Sequence, residues 1–258
     1  MKLYKAYAKV NIFLKITGIR GNYHEIVSRF MRVESLYDEL CFVPKESEEF
    51  KIIGDFDCDT QQNTIYKAYI ALKKVTDSEA LEKLMKTYAV EVQKSIPAFA
   101  GLGGGSSDAA TYLKMCNEVL HLGLSLNELA SIGLEVGADV PFFIYGYDSA
   151  NVSGIGEVVE EFKEELLDFE VFTPNVEIST PVVFKSYREN FYDPVNGLES
   201  QGLKQTISKD ILKTMDVSKA NDLFKPAMQE YKELKNHYEH GWHFSGSGSS
   251  FFRVKEDE

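Results

Sequence analysis

A glycine- and serine-rich segment is the part of this sequence best suited to chemistry. It reads Pro97-Ala-Phe-Ala-Gly-Leu-Gly-Gly-Gly-Ser-Ser-Asp-Ala-Ala110 and runs directly into an amphipathic stretch with apolar residues at helical spacing. Glycines let the backbone adopt positive φ and approach a ligand closely, and the first N–H groups of a helix favour an anion. The segment therefore predicts a phosphate-binding loop at the start of a helix, in preference to a flexible linker or a tight turn.

Two familiar nucleotide-binding patterns do not fit this loop. No lysine follows the glycines as it does in G-x-x-x-x-G-K-[ST], which excludes a Walker loop. Gly101, Gly103 and Gly105 give G-x-G-x-G, and they do not lie in a first βαβ unit with an acidic residue at the ribose position. A Rossmann dinucleotide site is therefore not indicated either.

Two charged residues, Lys9 and Asp139, are further candidates for a functional role. Lys9 and Asn11 alternate with apolar residues at the period of a half-buried strand, so they share one face. Taken alone, Lys9 is a solvated strand edge, and Asp139, with Pro141 close behind, is the N-cap of a helix. Each of them gains weight as a functional candidate only from the other features of the sequence.

Tyr23 and His24 follow a turn-rich segment. In isolation they are a partly buried aromatic residue and a surface histidine. Their functional interpretation is recognition of a base, by stacking and by directional hydrogen bonds from the imidazole. Phe184 is by default a core residue.

Composition limits the class of protein. The 258 residues carry a formal net charge of −12, which argues against nucleic-acid binding but leaves a local nucleotide pocket open. No stretch is apolar enough to span a bilayer and the first residues do not resemble a secretory signal, so we expect a cytoplasmic protein without a membrane partner. Cys41, Cys58 and Cys116 are widely spaced, which indicates reduced core thiols and neither a disulfide framework nor a zinc site.

Periodicity and turn residues outline the secondary structure. Strands are predicted at 10–16, 26–36, 89–93, 170–172 and 176–178, and at both ends of a second glycine-serine turn within 242–252. Helices are predicted from residue 63, around 81–88, after the glycine loop, from a capping box at 125–128 to Gly137, and within 186–201 and 219–237. The acidic run 157–165 is predicted to be solvated surface.

Several segments, taken in this order, resemble the GHMP kinase superfamily. The resemblance spans essentially the full length and is carried by residues 8–14, 23–25, 97–110, 137–143, 221–223 and 245–248. It implies an α+β protein with two α/β domains, an ATP-binding domain at 1–149 and a smaller substrate domain at 150–258, with a cleft between them.

The resemblance also implies an activity. ATP, with Mg²⁺, would donate its γ-phosphate to the 2-hydroxyl of a cytidine diphosphate-linked methylerythritol, in the non-mevalonate route to isoprenoid precursors. Asp139 would be the base facing that hydroxyl, and Lys9 would keep it ionised and stabilise developing charge. Nucleotide-binding positions carried over from the family pattern are Asn63, Lys94, Pro97, Gly101, Leu102, Gly103, Gly104, Gly105, Ser106 and Ser107.

On the substrate side, Tyr23 and Phe184 would sandwich the cytosine, His24 would read its polar edge, and Asn11 would touch the sugar-alcohol or phosphate part. The protein ligands of magnesium are left undetermined, with Ser106 or Ser107 favoured. Monomer and homodimer are both open. The alternatives are a GHMP kinase acting on homoserine or mevalonate, which would not need two aromatic faces, and a nucleotide sensor without turnover, against which the presence of Lys9 and Asp139 argues.

Overall fold

A computed structural model describes residues 2–76, 79–192 and 200–255 of the chain. The chain forms two compact units, each assembled from separated segments. The first unit contains Met1–Ala8, Leu36–Ile96 and Gly103–Gly146, and the second contains Lys9–Ser35, Pro97–Leu102 and Tyr147–Glu258. The two units therefore interleave along the sequence. The division into consecutive domains at 1–149 and 150–258 stays a prediction.

The first unit combines antiparallel strands with helices. Its strands are the start of β1 (Tyr4–Arg20), the end of β2 (Tyr23–Pro44), β3 (Ile52–Ile53) and β4 (Tyr88–Gln93). Its helices are α1 (Thr64–Thr76), α2 (Glu79–Thr87), α3 (Gly104–Val119), α4 (Leu126–Leu134) and α5 (Val140–Tyr145). Strand β4 pairs antiparallel with β2, Glu39 opposite Gln93, and in parallel with β3.

Helix α3 lies at the centre of the first unit, where it packs against α1 and α5. Its predicted apolar face is confirmed, because Leu113 and Cys116 are fully buried. The capping box is also confirmed: Ser125 accepts the backbone N–H of Glu128, whose carboxylate accepts the N–H of Ser125. Helix α4 nevertheless ends at Leu134, before the predicted stop at Gly137.

The second unit holds the rest of β1 and β2 together with the C-terminal elements. Its further strands are β5 (Ser149–Gly154), β6 (Val158–Glu161), β7 (Phe169–Phe172), β8 (His243–Phe244) and β9 (Phe251–Val254). Its helices are α6 (Thr180–Asn190), α7 (Ser200–Leu203), α8 (Ser208–Thr214), α9 (Val217–Ala220) and α10 (Phe224–Glu230). Strand β5 pairs antiparallel with β2, Ile26 opposite Gly154, and β9 pairs antiparallel with both β7 and β8.

The core of the second unit forms around α6, α10 and the paired strands β8 and β9. Tyr187, Leu223, Phe244 and Phe251 are each at most 1% exposed and belong to one apolar cluster. The glycine-serine turn between two apolar strands is confirmed, since β8 and β9 flank it. No helix among the described residues is long and apolar enough to cross a membrane.

Some sequence expectations are wrong. Residues 176–178 form no strand, because the N–H of Val176 turns back to the carbonyl of Pro174 at 2.7 Å and ends the extended course. Cys58 is exposed, whereas Cys41 and Cys116 are buried as free thiols. The helix predicted over 186–201 ends at Asn190, and residues 193–199 of that prediction lie outside the described part of the chain.

The acidic run 157–165 is not uniformly solvated. Its start forms β6, and the Glu164 side chain is only 5% exposed, 3.1 Å from the fully buried guanidinium of Arg29. The same guanidinium stacks on Phe162 at 3.4 Å and donates to the carbonyls of Leu203 and Lys204. The Arg29 side chain therefore links β2 to the residues that follow β6 and to the C-terminal end of α7.

Replacing Glu164 with Ala is expected to destabilise the protein by about 3 to 5 kcal/mol, because the buried charge of Arg29 loses its only carboxylate among the described residues. Urea unfolding followed by circular dichroism measures the loss. The matched control is Glu165→Ala, which removes the same charge from an exposed neighbour. Equal midpoints for the two variants would contradict this assignment.

Candidate active site

The glycine loop of the second unit is built around the carbonyl oxygen of Gly101. The ammonium of Lys9 donates to this oxygen at 2.9 Å, and the hydroxyl of Ser245 donates to it at 2.9 Å. Lys9 is only 3% exposed, and its Nζ also lies 4.6 Å from the centre of the Phe30 ring. A buried ammonium is thus fixed against the loop backbone.

The second glycine-serine turn, between β8 and β9, is hydrogen-bonded to this loop. The N–H groups of Ser249 and Ser250 donate to the carbonyls of Phe99 and Ala100 at 3.2 and 3.1 Å. Gly101 has a φ of +72°, and a Cβ there would lie 2.1 Å from the carbonyl oxygen of Ser245. Both the conformation and the close approach therefore require glycine at position 101.

Asn11 connects Lys9 to the neighbouring strand. Its Oδ1 accepts from the Lys9 ammonium at 2.7 Å and its Nδ2 donates to the Ser28 hydroxyl at 2.9 Å. Ser28 in turn donates to the Phe13 carbonyl at 2.5 Å. The predicted common face of Lys9 and Asn11 is confirmed, and this chain of hydrogen bonds fixes where the ammonium points.

In the first unit, the remaining loop residues pass into α3. Gly103 adopts a left-handed φ of +75° and α3 begins at Gly104, with no acidic side chain in its first turn. The N–H groups of such a first turn lack partners within the helix and attract an anion. Ser106 is half-buried and Ser107 is buried, so the Ser106 hydroxyl is the more accessible of the two.

Lys94 lies at the start of α3, held between two carboxylates. Its Nζ lies 2.5 Å from Oδ2 of Asp38 and 2.8 Å from Oδ2 of Asp108. A Cβ added at position 104, where the chain has glycine, would lie 3.6 Å from the same Nζ. Asp38 also accepts the N–H groups of Ser95 and Ile96 at 2.6 and 2.8 Å. The cluster therefore joins the residues after β4 to the second turn of α3.

The protonation states in this cluster are set by burial and by one shared cation. Burial raises the pKa of Asp108 to about 7, although the attraction of Lys94 opposes the shift. Burial alone would lower the pKa of Lys94, but Asp108 and Asp38 together raise it, so the lysine remains an ammonium. One positive charge faces two carboxylates, and Asp108 is the one that takes a proton near neutrality.

The other predicted nucleotide positions lie around this helix start or ahead of it. Asn63 is buried and its Oδ1 accepts the N–H of Ile65 at 2.9 Å, so it caps α1. Pro97 is exposed at the beginning of the loop. The Leu102 side chain is buried, and its carbonyl accepts the N–H of Lys9 at 2.9 Å.

Asp139 stands at the N-cap position of α5, with Pro141 in the first turn, as its sequence context predicts. Its side chain, however, makes no capping hydrogen bond, and its φ and ψ of −83° and −14° are already helical. The helix start therefore does not account for the carboxylate, which was the simplest explanation for an aspartate at this position.

The predicted base-recognition residues of the second unit are partly brought together. His24 and Phe184 lie 5.0 Å apart between ring centres at 35°, and Tyr187 meets His24 edge-on at 6.3 Å. Tyr23 is 64% exposed. Burial lowers the pKa of His24 and the nearby charge of Arg188 lowers it further, so the imidazole is neutral at physiological pH.

Several residues of this arrangement have no role predicted from the sequence: Ser28, Asp38, Asp108, Arg188 and Ser245. Asp108 directly follows the two loop serines and Ser245 belongs to the second glycine-serine turn, so position in the sequence could have drawn attention to both. Asp38 carries no such signal, because it stands beside Glu39, beyond the strand predicted at 26–36.

The chain is similar in sequence to known proteins. Residues 63–147 match the family model described as GHMP kinases N terminal domain. The chain is 74% identical over 262 residues to a 4-diphosphocytidyl-2-C-methyl-D-erythritol kinase of Sulfurimonas denitrificans, covering 100% of this chain and 98% of that protein. It is 40% identical over 255 residues to the protein of the same name in Campylobacter jejuni, covering 97% and 99%.

Solved structures give the same picture. A 4-(cytidine 5'-diphospho)-2C-methyl-D-erythritol kinase matches with a TM-score of 0.72 and 28% identity, covering 99% of this chain and 90% of that one. The mevalonate kinase of Methanococcus jannaschii matches with a TM-score of 0.62, 14% identity and the same coverages, a similarity that concerns the fold alone. The α+β GHMP kinase fold expected from the sequence is confirmed.

Asp108→Asn is expected to change how stability depends on pH. A folded-state pKa raised from 3.8 to about 7 means that the folded protein holds a proton that the unfolded chain releases, so the contribution of Asp108 to wild-type stability falls as pH rises from 4 to 7. The asparagine variant lacks this loss. The free energy of unfolding, measured in urea at pH 5 and pH 8, should therefore become smaller for the wild type relative to the variant at the higher pH.

The control is Glu118→Gln, which removes an exposed carboxylate from the same helix. It should not reproduce the change between pH 5 and pH 8. A wild-type advantage over Asp108→Asn that stays constant or grows with pH would refute the raised pKa.

Proposed function

We propose, because the chain belongs to the 4-diphosphocytidyl-2-C-methyl-D-erythritol kinase family of the GHMP kinases, that it phosphorylates the 2-hydroxyl of 4-diphosphocytidyl-2-C-methyl-D-erythritol with ATP. The products are the 2-phosphate and ADP, in the methylerythritol phosphate route to isoprenoid precursors. In this reaction the hydroxyl oxygen bonds to the γ-phosphorus and the bond to the ADP oxygen breaks. The hydroxyl proton passes to a base.

The observation that carries the proposal is the buried Lys9 ammonium bound to the Gly101 carbonyl. Phosphoryl transfer passes through a loose transition state, so catalysis depends mainly on alignment and on stabilising charge. A lysine fixed by Gly101 and Asn11 is already oriented before the nucleotide arrives. We assign to Lys9 the stabilisation of the negative charge on the phosphoryl group that is transferred.

Asp139 is proposed as the base that takes the proton of the 2-hydroxyl. Its support is the family pattern around it, residues 137–143, together with its position at the start of α5. A weak base suffices, because little proton transfer is needed before the phosphorus–oxygen bond forms in a loose transition state.

The triphosphate is proposed to bind the loop from Gly101 to Ser107, where backbone N–H groups and the start of α3 favour anions. Asn63 and Lys94 are proposed for the adenine side. Asn63 would use its amide nitrogen, since its oxygen caps α1. Pro97 and Leu102 would contribute through the shape of the loop and through their backbone groups.

Magnesium fits the donor chemistry of this loop only as a partner of the nucleotide. Among the described residues, no group of three or more His, Cys, Asp or Glu side chains could hold a metal ion. Magnesium typically keeps phosphate and water oxygens and needs few protein ligands. The Ser106 hydroxyl is the proposed protein ligand, and the bound ion would neutralise phosphate charge.

For the cytidine part we propose that Phe184 and Tyr23 supply aromatic faces and that His24 reads the polar edge of the base. The contact between His24 and Phe184 supports this assignment, because a stacking face and a directional hydrogen-bonding group lie side by side. Asn11 is proposed to reach the sugar-alcohol or phosphate part through its amide nitrogen.

Asp139→Asn and Lys9→Ala are each expected to lower kcat by about 100-fold or more while the KM for ATP changes little, because both act on the reacting groups. ADP release with the cytidyl substrate measures both constants. Glu135→Gln, an exposed acid after α4, and Lys5→Ala, an exposed lysine on β1, are the matched controls. Unchanged turnover in Asp139→Asn would remove that residue from the mechanism.

Tyr23→Ala is expected to raise the KM for the cytidyl substrate about tenfold, with kcat largely retained, since one base–aromatic stack is worth about 1 to 3 kcal/mol. The control is Phe172→Ala, an exposed aromatic of the same unit. The same assay with homoserine and mevalonate tests the choice of substrate. Turnover of either one without turnover of the cytidyl compound would overturn the proposed function.

A further inference from the structure

The contact between Arg188 and His24 determines which imidazole nitrogen carries hydrogen. Nε of Arg188, on α6, donates to Nε2 of His24 at 3.4 Å. A guanidinium has only donors, so the histidine nitrogen that faces it must be an acceptor. A neutral imidazole that accepts at Nε2 carries its hydrogen on Nδ1.

The charge of Arg188 acts in the same direction. Its Nη2 is buried and has no hydrogen-bond partner among the described residues, and no described carboxylate pairs with the side chain. Within the described part of the chain this positive charge has no carboxylate partner, and it disfavours a second proton on the imidazole. Burial of His24, the larger cause, and this charge both lower the pKa of His24.

The ring is also held in orientation. Phe184 lies against one face of the imidazole at 5.0 Å, and Tyr187, which is 1% exposed, approaches edge-on at 6.3 Å. Both residues belong to α6, as does Arg188. One helix therefore fixes the position, the protonation state and the tautomer of His24.

We infer that Arg188 is a specificity-determining residue: it holds His24 in the tautomer with hydrogen on Nδ1, and this tautomer selects cytosine over uracil. N3 of cytosine accepts a hydrogen bond, whereas N3 of uracil carries hydrogen. An Nδ1–H that faces N3 pairs with cytosine and opposes uracil donor to donor. The inference rests on the proposed function, because it takes His24 to read the base of the substrate.

The tautomer is tested without any substrate. In ¹⁵N-edited NMR spectra of the wild type at pH 8, His24 should show a protonated Nδ1 and an unprotonated Nε2. Arg188→Met removes the donor, and the two nitrogens should then move toward the averaged shifts of a free imidazole. The control Lys185→Met removes a positive charge from an exposed, ion-paired position of the same helix and should leave the spectrum unchanged.

Selection of the base is tested by turnover. The ratio of kcat/KM for the cytidine diphosphate-linked substrate over its uridine diphosphate-linked analogue should fall about tenfold in Arg188→Met, the size expected for one hydrogen bond. The KM for ATP should stay the same, and Lys185→Met should keep the wild-type ratio. A purely structural role for Arg188 would lower activity on both compounds and leave their ratio unchanged.

A wild-type spectrum with hydrogen on Nε2 would overturn the inference, and this result does not depend on whether Arg188→Met folds. An unchanged substrate ratio in a folded Arg188→Met protein would overturn base selection. A wild type that phosphorylates neither compound would overturn the proposed function and base selection with it, while the spectrum still decides the tautomer.

Discussion

The carbonyl oxygen of Gly101 is the acceptor on which the glycine loop of the second unit depends. Lys9 reaches it from β1 and Ser245 reaches it from the turn before β9, each at 2.9 Å. This geometry exists only because position 101 has positive φ and no Cβ, which brings the backbone of two glycine-rich segments together. A residue with no side chain therefore fixes the position of the buried lysine.

Each of the two units buries a lysine, and the two lysines have different hydrogen-bond partners. Lys94 lies between two carboxylates, so its charge is neutralised locally and it joins β4 to α3. Lys9 donates to a backbone carbonyl and to the amide oxygen of Asn11, and these two acceptors fix where its ammonium points.

The fold was largely predictable, because its main signals are local. The alternation around Lys9 and Asn11, the spacing of Leu113 and Cys116, and the capping box at Ser125 each follow from nearest-neighbour periodicity, and the structure agrees with all three. The glycines and serines ahead of an amphipathic stretch identified the loop before α3. Strands β5 and β6 were missed. Strand β6 is an acidic edge strand that looks like solvated surface in sequence, and β5, Ser149–Gly154, consists mostly of small and polar residues.

What sequence could not supply is the pairing of distant charges. Glu164 resembles its exposed neighbours, and only the fold brings the Arg29 guanidinium to it. Asp38 and Asp108 are 70 positions apart and meet through Lys94. The tautomer of His24 depends on Arg188, 164 residues away. Such contacts follow from topology rather than from composition or spacing.

The support of Gly101 by Ser245 has a consequence for the order in which the protein matures. The two residues are 144 positions apart in the chain, and the ribosome adds the serine long after the glycine. During translation the Gly101 carbonyl therefore lacks the hydrogen bond from Ser245 until the residues just before β9 have been synthesised. The glycine loop thus reaches its final hydrogen-bonded form only late in chain synthesis.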